Sequence, residues 1–183
     1  MNSENKIIVL DRDGVINIDS PDYIKTPEEW NPLPGSIEAI AKLTGSGYRI
    51  FIATNQSGIG RGLYTEATYR EIEQKMLAMI EDGGGKIEGI FYCPHTPDDR
   101  CACRKPQPGL LYEIEKAIQR SLENVVFVGD SRRDLDAAET VGAKGVLVLT
   151  GNGRKTLEGL DEDHGFDVYD DLLGVTEALC TDT

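Results

Sequence analysis

Acidic residues follow two short apolar runs of the chain, at positions 11–15 (DRDGV) and 129–134 (GDSRRD). In the first segment, two carboxylates stand two residues apart at the end of a predicted strand and therefore lie roughly on one side of it. Like charges held this close need a cation or a proton between them. Hard oxygen ligands with room for water suit Mg²⁺. If the two strands are neighbours, four carboxylates meet in one predicted magnesium pocket, those of Asp11, Asp13, Asp130 and Asp134.

A second set of polar residues could hold the oxygens of a phosphate group. Thr54 and Asn55 follow another apolar run and offer a hydroxyl, an amide and backbone N–H groups, and Lys105 offers a positive charge. These donors could hold a phosphoryl group in line with a carboxylate oxygen of Asp11, which would form an aspartyl-phosphate that water then cleaves. Asp13 is placed to act as the general acid and base. Each fragment alone also fits a turn or a surface residue, so the prediction depends on all of them occurring together.

Three of the four cysteines and one of the two histidines lie within residues 93–103. Three thiolates and one imidazole suit a tetrahedral Zn²⁺, and four protein ligands leave no position open for water. We therefore predict a structural zinc site in this loop, directly before Arg104 and Lys105; the alternative is a loop of free thiols beside an unrelated histidine. The predicted ligands are Cys93, His95, Cys101 and Cys103.

Short strands and amphipathic helices must position these residues. Most of the apolar runs lack the alternation of a half-exposed strand, which favours burial on both faces of a parallel sheet. The predicted strands are 7–10, 48–53, 87–92, 125–128 and 146–149, and helical apolar stripes lie between them at 37–43, 69–80, 110–118 and 135–141. This alternation predicts a doubly wound, Rossmann-like α/β sheet in a single domain over residues 1–183, with its chemistry at the carboxyl ends of the strands.

The composition argues against several classes of partner. The 183 residues include 19 Lys+Arg against 32 Asp+Glu, for a net charge of −13. Nucleic acids and anionic membranes both reward a basic surface, so we expect neither as a partner. No apolar run approaches the roughly 20 residues of a membrane helix, and the start of the chain lacks a signal-peptide pattern. We expect a cytoplasmic monomer.

The acidic and phosphate-binding segments resemble the four motifs of the haloacid dehalogenase-like phosphatases, and the resemblance covers nearly the whole chain. Segment 11–15 is similar to the first motif, Thr54-Asn55 to the second, Lys105 to the third and segment 129–134 to the fourth. The resemblance implies that Asp11 is the nucleophile and that the second aspartate of the first motif is the acid/base.

The same resemblance implies a ligand set for Mg²⁺. The ion would be held by the side chains of Asp11 and Asp130 and the backbone carbonyl of Asp13, with Asp134 supporting it or acting through water. Some members carry lysine where Ser131 stands. It is therefore left open whether Arg132 or Arg133 supplies that cation.

The intervals between the motifs are too short for a separate cap domain, so loops alone should close the site. The candidate loops are 18–34, 58–63 and 94–104. An acidic protein needs local cations to hold an anionic ligand, and a ligand with two phosphates would explain two arginines beyond Lys105. The predicted substrate-binding residues are Asn17, Asn55, Arg61 and Arg104.

Within the family, the chain looks most like the zinc-containing branch without a cap. The similar segments are 15–17 (VIN), 55–62 (NQSGIGRG) and 101–106 (CACRKP), with 29–30 (EW) before 34–35 (PG). The resemblance implies hydrolysis of the C7 phosphate of a heptose bisphosphate, in the nucleotide-activated heptose pathway that supplies lipopolysaccharide.

Three alternatives remain open at this point. Histidinol-phosphate phosphatases belong to the same branch and share its motifs. A polynucleotide 3′-phosphatase shares the chemistry, but the charge of −13 counts against it. A zinc-stabilised binding module with a decayed site is the non-enzymatic alternative, and the intact acidic motifs and Lys105 argue against it.

Overall fold

Six parallel strands form one sheet in the computed structural model, which describes residues 6–181. Their order across the sheet is β3-β2-β1-β4-β5-β6, so the chain winds outward on one side of β1 and then on the other. The predicted doubly wound α/β class is therefore confirmed. The strands are β1 (Ile7–Leu10), β2 (Arg49–Asn55), β3 (Gly89–Cys93), β4 (Val126–Gly129), β5 (Lys144–Val148) and β6 (Asp167–Tyr169).

Helices connect the strands and cover both faces of the sheet. Two short 3-10 helices, Pro27–Glu29 and Pro97–Asp99, lie in the loops. Among residues 6–181, no helix is both long and apolar enough to cross a lipid bilayer. The α-helices are α1 (Ser36–Gly45), α2 (Ser57–Gly60), α3 (Glu66–Asp82), α4 (Gly109–Ile118), α5 (Arg132–Thr140), α6 (Gly153–Glu158) and α7 (Leu172–Thr181).

The central strand β1 is buried on both sides because its successive side chains enter two different cores. Ile8 and Leu10 pack with residues of α1, α3 and α7, whereas Ile7 and Val9 pack with residues of α4 and α5. Burying a side chain of this size contributes about 1.5–3 kcal/mol. The two cores explain why the strand sequence is continuously apolar, and packing on both sides fixes the position of the end of β1.

Besides the two 3-10 helices, the structure adds four elements that the apolar patterns did not predict: β6, α2, α6 and α7. β6 is a three-residue edge strand without a continuous apolar run, and α6 has only six residues. The helix α7 packs against α1 through the first core. One residue of a predicted apolar stripe is not buried, since Met79 of α3 is 36% exposed.

The site is positioned by the pairing of β1 with β4. Leu10 lies opposite Val128, and the backbone N–H of Asp11 donates to the carbonyl oxygen of Val128 at 2.9 Å. The two strands lie where the winding of the sheet reverses, and in such sheets ligands bind in the crevice outside the strand ends. Asp11 and Asp130 are therefore brought side by side.

Candidate active site

Three buried carboxylates gather at the carboxyl ends of β1 and β4. Asp11, Asp130 and Asp134 are each at most 5% exposed, and one oxygen from each lies within 4.8 Å of those of the other two. Asp134 reaches the cluster because it stands in the first turn of α5, which follows β4 directly. Its side chain accepts a hydrogen bond from the backbone N–H of Ser131 at 3.1 Å, so the start of the helix also orients this carboxylate.

Lys105 supplies the amine of the cluster. Its Nζ lies 2.9 Å from Oδ1 of Asp11 and 2.6 Å from Oδ1 of Asp134, and it donates to the carbonyl oxygen of Ala53 at 2.7 Å. All three protons of the ammonium group therefore have acceptors within the protein. The lysine is only 2% exposed, so it neutralises carboxylates under the site instead of standing free in the cavity.

The acidic cluster still carries more negative charge than this one amine can offset. Burial raises the pKa of Asp11 to about 6, with Asp134 and Asp13 adding to the shift, although Lys105 acts in the opposite direction. A divalent cation would remove that penalty, and the donors are the hard carboxylate oxygens that Mg²⁺ prefers. The residues present therefore fit a magnesium ion.

Asp13 is held by hydrogen bonds on both of its oxygens. Arg12 and Asn17 donate to Oδ1 at 2.8 and 2.9 Å, and Gln56 donates to Oδ2 at 2.8 Å. Burial alone would raise the pKa of Asp13, but the Arg12 guanidinium and these hydrogen bonds outweigh it and lower the pKa. The carboxylate faces the same cavity as Asp11.

Two of the predicted contact residues lie beneath the cavity surface. Asn17 is fully buried and donates to Asp13, and its predicted role in substrate binding stays a prediction. Thr54 is also fully buried, and its hydroxyl oxygen accepts a hydrogen bond from Gln56 at 2.9 Å. Asn55 does line the cavity, and its side-chain amide makes two 3.0 Å hydrogen bonds to the backbone of Lys105.

A cavity of about 190 Å³ lies above these groups. Asp11 and Asp13 lie in its lining, and the loop 18–34 contributes residues 19–21, 23 and 24. Besides Arg12, which pairs with Asp13, three arginines contribute positive charge. Burial, together with the neighbouring guanidinium groups, lowers the pKa of one of them, Arg104. A cavity wall with these cations is suited to an anionic ligand. The three arginines are Arg61, Arg104 and Arg133.

The structure also answers which residue of the fourth segment carries the cation. Ser131 donates from its hydroxyl to Oδ1 of Asp130 at 2.7 Å. Arg132 is exposed and pairs with Asp136 at 2.6 Å. Arg133 lines the cavity, so it is the cation of this segment that faces the cavity.

Sequence reasoning missed four residues that shape the site. Arg12 and Gln56 stand inside the quoted motifs, but their side chains were not assigned. Tyr64 donates to Oε1 of Gln56 at 2.8 Å, and the backbone N–H of Asn152 donates to Oδ2 of Asp130 at 2.8 Å. The only sequence signal for a role of Tyr64 and Asn152 is the glycines beside them, because glycine permits close backbone approach.

The four predicted zinc ligands form one cluster beside the site. The measured distances between their sulfur and Nδ1 atoms span 3.1–3.6 Å, and no cysteine of the cluster forms a disulfide. Zinc bonds of ordinary length would set these distances at about 3.5–3.8 Å, a small expansion of the cluster, and three thiols with one imidazole are the donors that Zn²⁺ prefers, so the donor set fits Zn²⁺. The carbonyl oxygen of His95 accepts a hydrogen bond from Arg104 at 3.2 Å, which joins the cluster to the cavity wall.

Comparison with known proteins agrees with this geometry. The model of a family described as HAD-hydrolase-like matches residues 102–175. D-glycero-beta-D-manno-heptose-1,7-bisphosphate 7-phosphatases from Pseudomonas putida and Bordetella bronchiseptica are 51% and 49% identical to this chain. Each alignment covers 95% of the chain, and 99% and 97% of the relative, respectively.

Solved structures give the same result. The crystal structure of D,D-heptose 1,7-bisphosphate phosphatase from B. bronchiseptica, complexed with magnesium and phosphate, superposes with a TM-score of 0.94 at 48% identity. That match covers 97% of this chain and 99% of the other. The corresponding enzyme from Burkholderia thailandensis gives a TM-score of 0.76 at 39% identity, covering 96% and 98%.

The doubly wound sheet, with an aspartate segment after β1 and acidic residues after β4, defines a hydrolase of the haloacid dehalogenase-like class. Within that class, identity near 50% over almost the full length of both chains identifies the family. The chain belongs to the D-glycero-beta-D-manno-heptose-1,7-bisphosphate 7-phosphatase family.

Proposed function

We propose that this protein is a Mg²⁺-dependent phosphomonoesterase that removes the C7 phosphate of D-glycero-beta-D-manno-heptose 1,7-bisphosphate. The observation that carries the proposal is the near-complete alignment at about 50% identity with phosphatases named for this substrate. The cavity adds independent support, because one nucleophile faces three arginines there. One phosphate at Asp11 and a second among the arginines would use both groups.

The reaction begins with attack by a carboxylate oxygen of Asp11 on the phosphorus. The backbone N–H of Arg12 and the amine of Lys105 both contact Oδ1, so we assign the attack to Oδ2. The bond from phosphorus to the C7 oxygen breaks, and Asp13 gives its proton to the leaving oxygen. Water then attacks the aspartyl-phosphate and passes a proton to Asp13, which restores Asp11 and releases inorganic phosphate.

The metals have separate roles in this proposal. The Asp11 and Asp130 side chains would hold Mg²⁺ with the Asp13 carbonyl, and Asp134 would support them, since its own oxygens already contact Lys105 and Ser131. Bound Mg²⁺ supplies positive charge that offsets the charge developing on the transferred phosphoryl group. Zinc on the three cysteines and His95 would be structural, because four protein ligands leave no position for water.

Further features of the proposal rest on the sequence. A single domain over residues 1–183, a cytoplasmic location and a monomeric state stay predictions.

A phosphate-release assay with the purified zinc-containing protein tests the proposed function. The panel contains both anomers of the heptose bisphosphate, histidinol phosphate and a 3′-phosphorylated oligonucleotide, each with and without Mg²⁺. We expect the β-anomer of the heptose bisphosphate to give the highest kcat/KM, and only with Mg²⁺. Faster turnover of histidinol phosphate would instead assign the protein to histidine biosynthesis.

The nucleophile is tested by Asp11→Asn in the same assay. An amide is a poor nucleophile, so kcat should fall by several orders of magnitude while the circular dichroism spectrum is retained. Asp82→Asn, at the exposed end of α3, is the matched control and should keep wild-type turnover. Near-normal turnover by the Asp11 variant would exclude the aspartyl-phosphate route.

A further inference from the structure

The turn formed by Thr150, Gly151 and Asn152 after β5 packs directly against the nucleophile segment. The hydroxyl of Thr150 donates to the carbonyl oxygen of Gly14 at 2.6 Å. A Cβ atom on Gly151 would lie 2.6 Å from the Cα of Gly14 and 2.2 Å from Oδ2 of Asp130. Both glycines also have positive φ, of +55° and +80°, so the two turns can approach this closely only without side chains.

Asn152 carries this contact to the side chains of the site. Its backbone N–H donates to Oδ2 of Asp130 at 2.8 Å, and its side-chain Nδ2 lies 3.2 Å from the same oxygen. The same Nδ2 also donates to Oδ2 of Asp19 at 3.1 Å. Asp130 belongs to the acidic cluster, and Asp19 belongs to the loop that lines the cavity.

The remaining contacts of Asp130 make this turn its main support. Its Oδ1 accepts from the hydroxyl of Ser131, and its carbonyl oxygen accepts from the hydroxyl of Thr156 at 2.8 Å. Thr156 is in α6, the helix that begins directly after Asn152. The segment after β5 therefore restrains both the backbone and the carboxylate of Asp130, which itself follows β4.

We propose that Asn152 is a positioning residue that orients Asp130 for Mg²⁺ and couples the loop 18–34 to the metal site. Its side-chain amide donates to both carboxylates and so joins Asp19 to Asp130. The inference rests on the proposed function and deepens it, since it assigns a role to a residue outside the four motifs. Groups that orient metal ligands change metal affinity by about 10- to 100-fold when they are removed.

Magnesium titration by calorimetry, on the zinc-containing protein without substrate, tests this role. Asn152→Ala removes the side-chain donor and keeps the backbone N–H, so we expect the Kd for Mg²⁺ to rise about tenfold. Asn152→Leu has a similar size, no side-chain donor and no charge, and it fits the ordinary helical φ and ψ of this position, so its Kd should rise by a similar factor. Lys155→Ala, on the exposed surface of α6, is the control and should bind Mg²⁺ as the wild type does.

A double-mutant cycle tests the coupling to the loop. If Asn152 links Asp19 to the metal site, the effects of Asp19→Ala and Asn152→Ala on Mg²⁺ affinity should not add in the double variant. Additive effects would overturn the coupling, and wild-type Mg²⁺ affinity in both Asn152 variants would overturn the positioning role. These readings do not need turnover, so a protein inactive on the whole phosphate panel would refute the proposed function without deciding the role of Asn152.

Discussion

A buried glutamine helps Arg12 and Asn17 to hold Asp13 in place. Gln56 is 3% exposed; its Nε2 donates to Asp13 and Thr54, and its Oε1 accepts from Tyr64. The lowered pKa of Asp13 keeps this carboxylate ionised at neutral pH. An arriving phosphate group adds negative charge nearby and so raises that pKa, which favours the protonated acid that the first step needs.

Replacing Gln56 should therefore slow the chemical step more than it weakens substrate binding. We expect Gln56→Ala to lower kcat by about 10- to 100-fold with a smaller change in KM, because the acid/base loses its alignment. Gln56→Glu keeps the shape but cannot donate from an ionised carboxylate, so it should also lose kcat. Steady-state kinetics beside Gln74→Ala, an exposed glutamine of α3, provide the comparison. Unchanged kcat in both Gln56 variants would contradict this role.

At the level of the elements, helix starts supply both stability and site geometry. In α5, Ser131 and Asp134 form a capping box, so the carboxylate that pairs with Lys105 also closes the first turn of its helix. In α3, the cap is remote from the reacting groups: the hydroxyl oxygen of Thr65 accepts from the backbone N–H of Thr68 at 3.1 Å. Helix capping thus also orients a site residue in α5, whereas in α3 it contributes to stability alone.

The cap of α3 gives a stability prediction. Thr65→Ala removes the acceptor for one of the first N–H groups of the helix and should lower the free energy of unfolding by about 1 kcal/mol. Urea denaturation checks this value. Thr140→Ala, at the exposed end of α5, should change the free energy of unfolding by less than about 0.5 kcal/mol. Equal stability of the Thr65 variant and the wild type would show that the cap contributes nothing.

Across the whole molecule, the zinc cluster joins separate parts of the fold to the cavity. Cys93 ends β3, and the next residue, Pro94, accepts from the N–H of Gly60 at the end of α2. The carbonyl oxygen of Ala102 accepts from the N–H of Gly109, where α4 begins. Zinc would therefore hold two helices and Arg104 relative to the sheet, whereas Asp11 is held separately at the end of β1.

Removing zinc should consequently affect stability and binding before chemistry. We expect metal analysis to find about one zinc per chain, lost in Cys101→Ala together with a lower Tm and a raised KM. Cys180→Ala removes the cysteine outside the cluster and should retain zinc. A native protein without zinc, or a Cys101 variant with wild-type Tm, would contradict this prediction.

Much of the fold and site could be predicted because the signals are local. The continuous apolar sequence of β1 follows directly from burial on both faces, and the spacing of the cysteines and His95 follows from a tight metal loop. β6 could not be predicted in the same way, because it forms by pairing with β5 at the sheet edge and carries no apolar run of its own.

The sequence by itself determined which residues stand at the strand ends and are therefore the candidates for the chemistry, because strand and helix periodicity are properties of neighbouring residues. Only the tertiary structure decided what each side chain contacts. It placed Asn17 under Asp13, turned Arg133 and not Arg132 toward the cavity, and brought Asn152 against Asp130. Such contacts form where separate strand-to-helix loops pack together, and they depend on distances of a few ångströms. Spacing along the chain does not encode either.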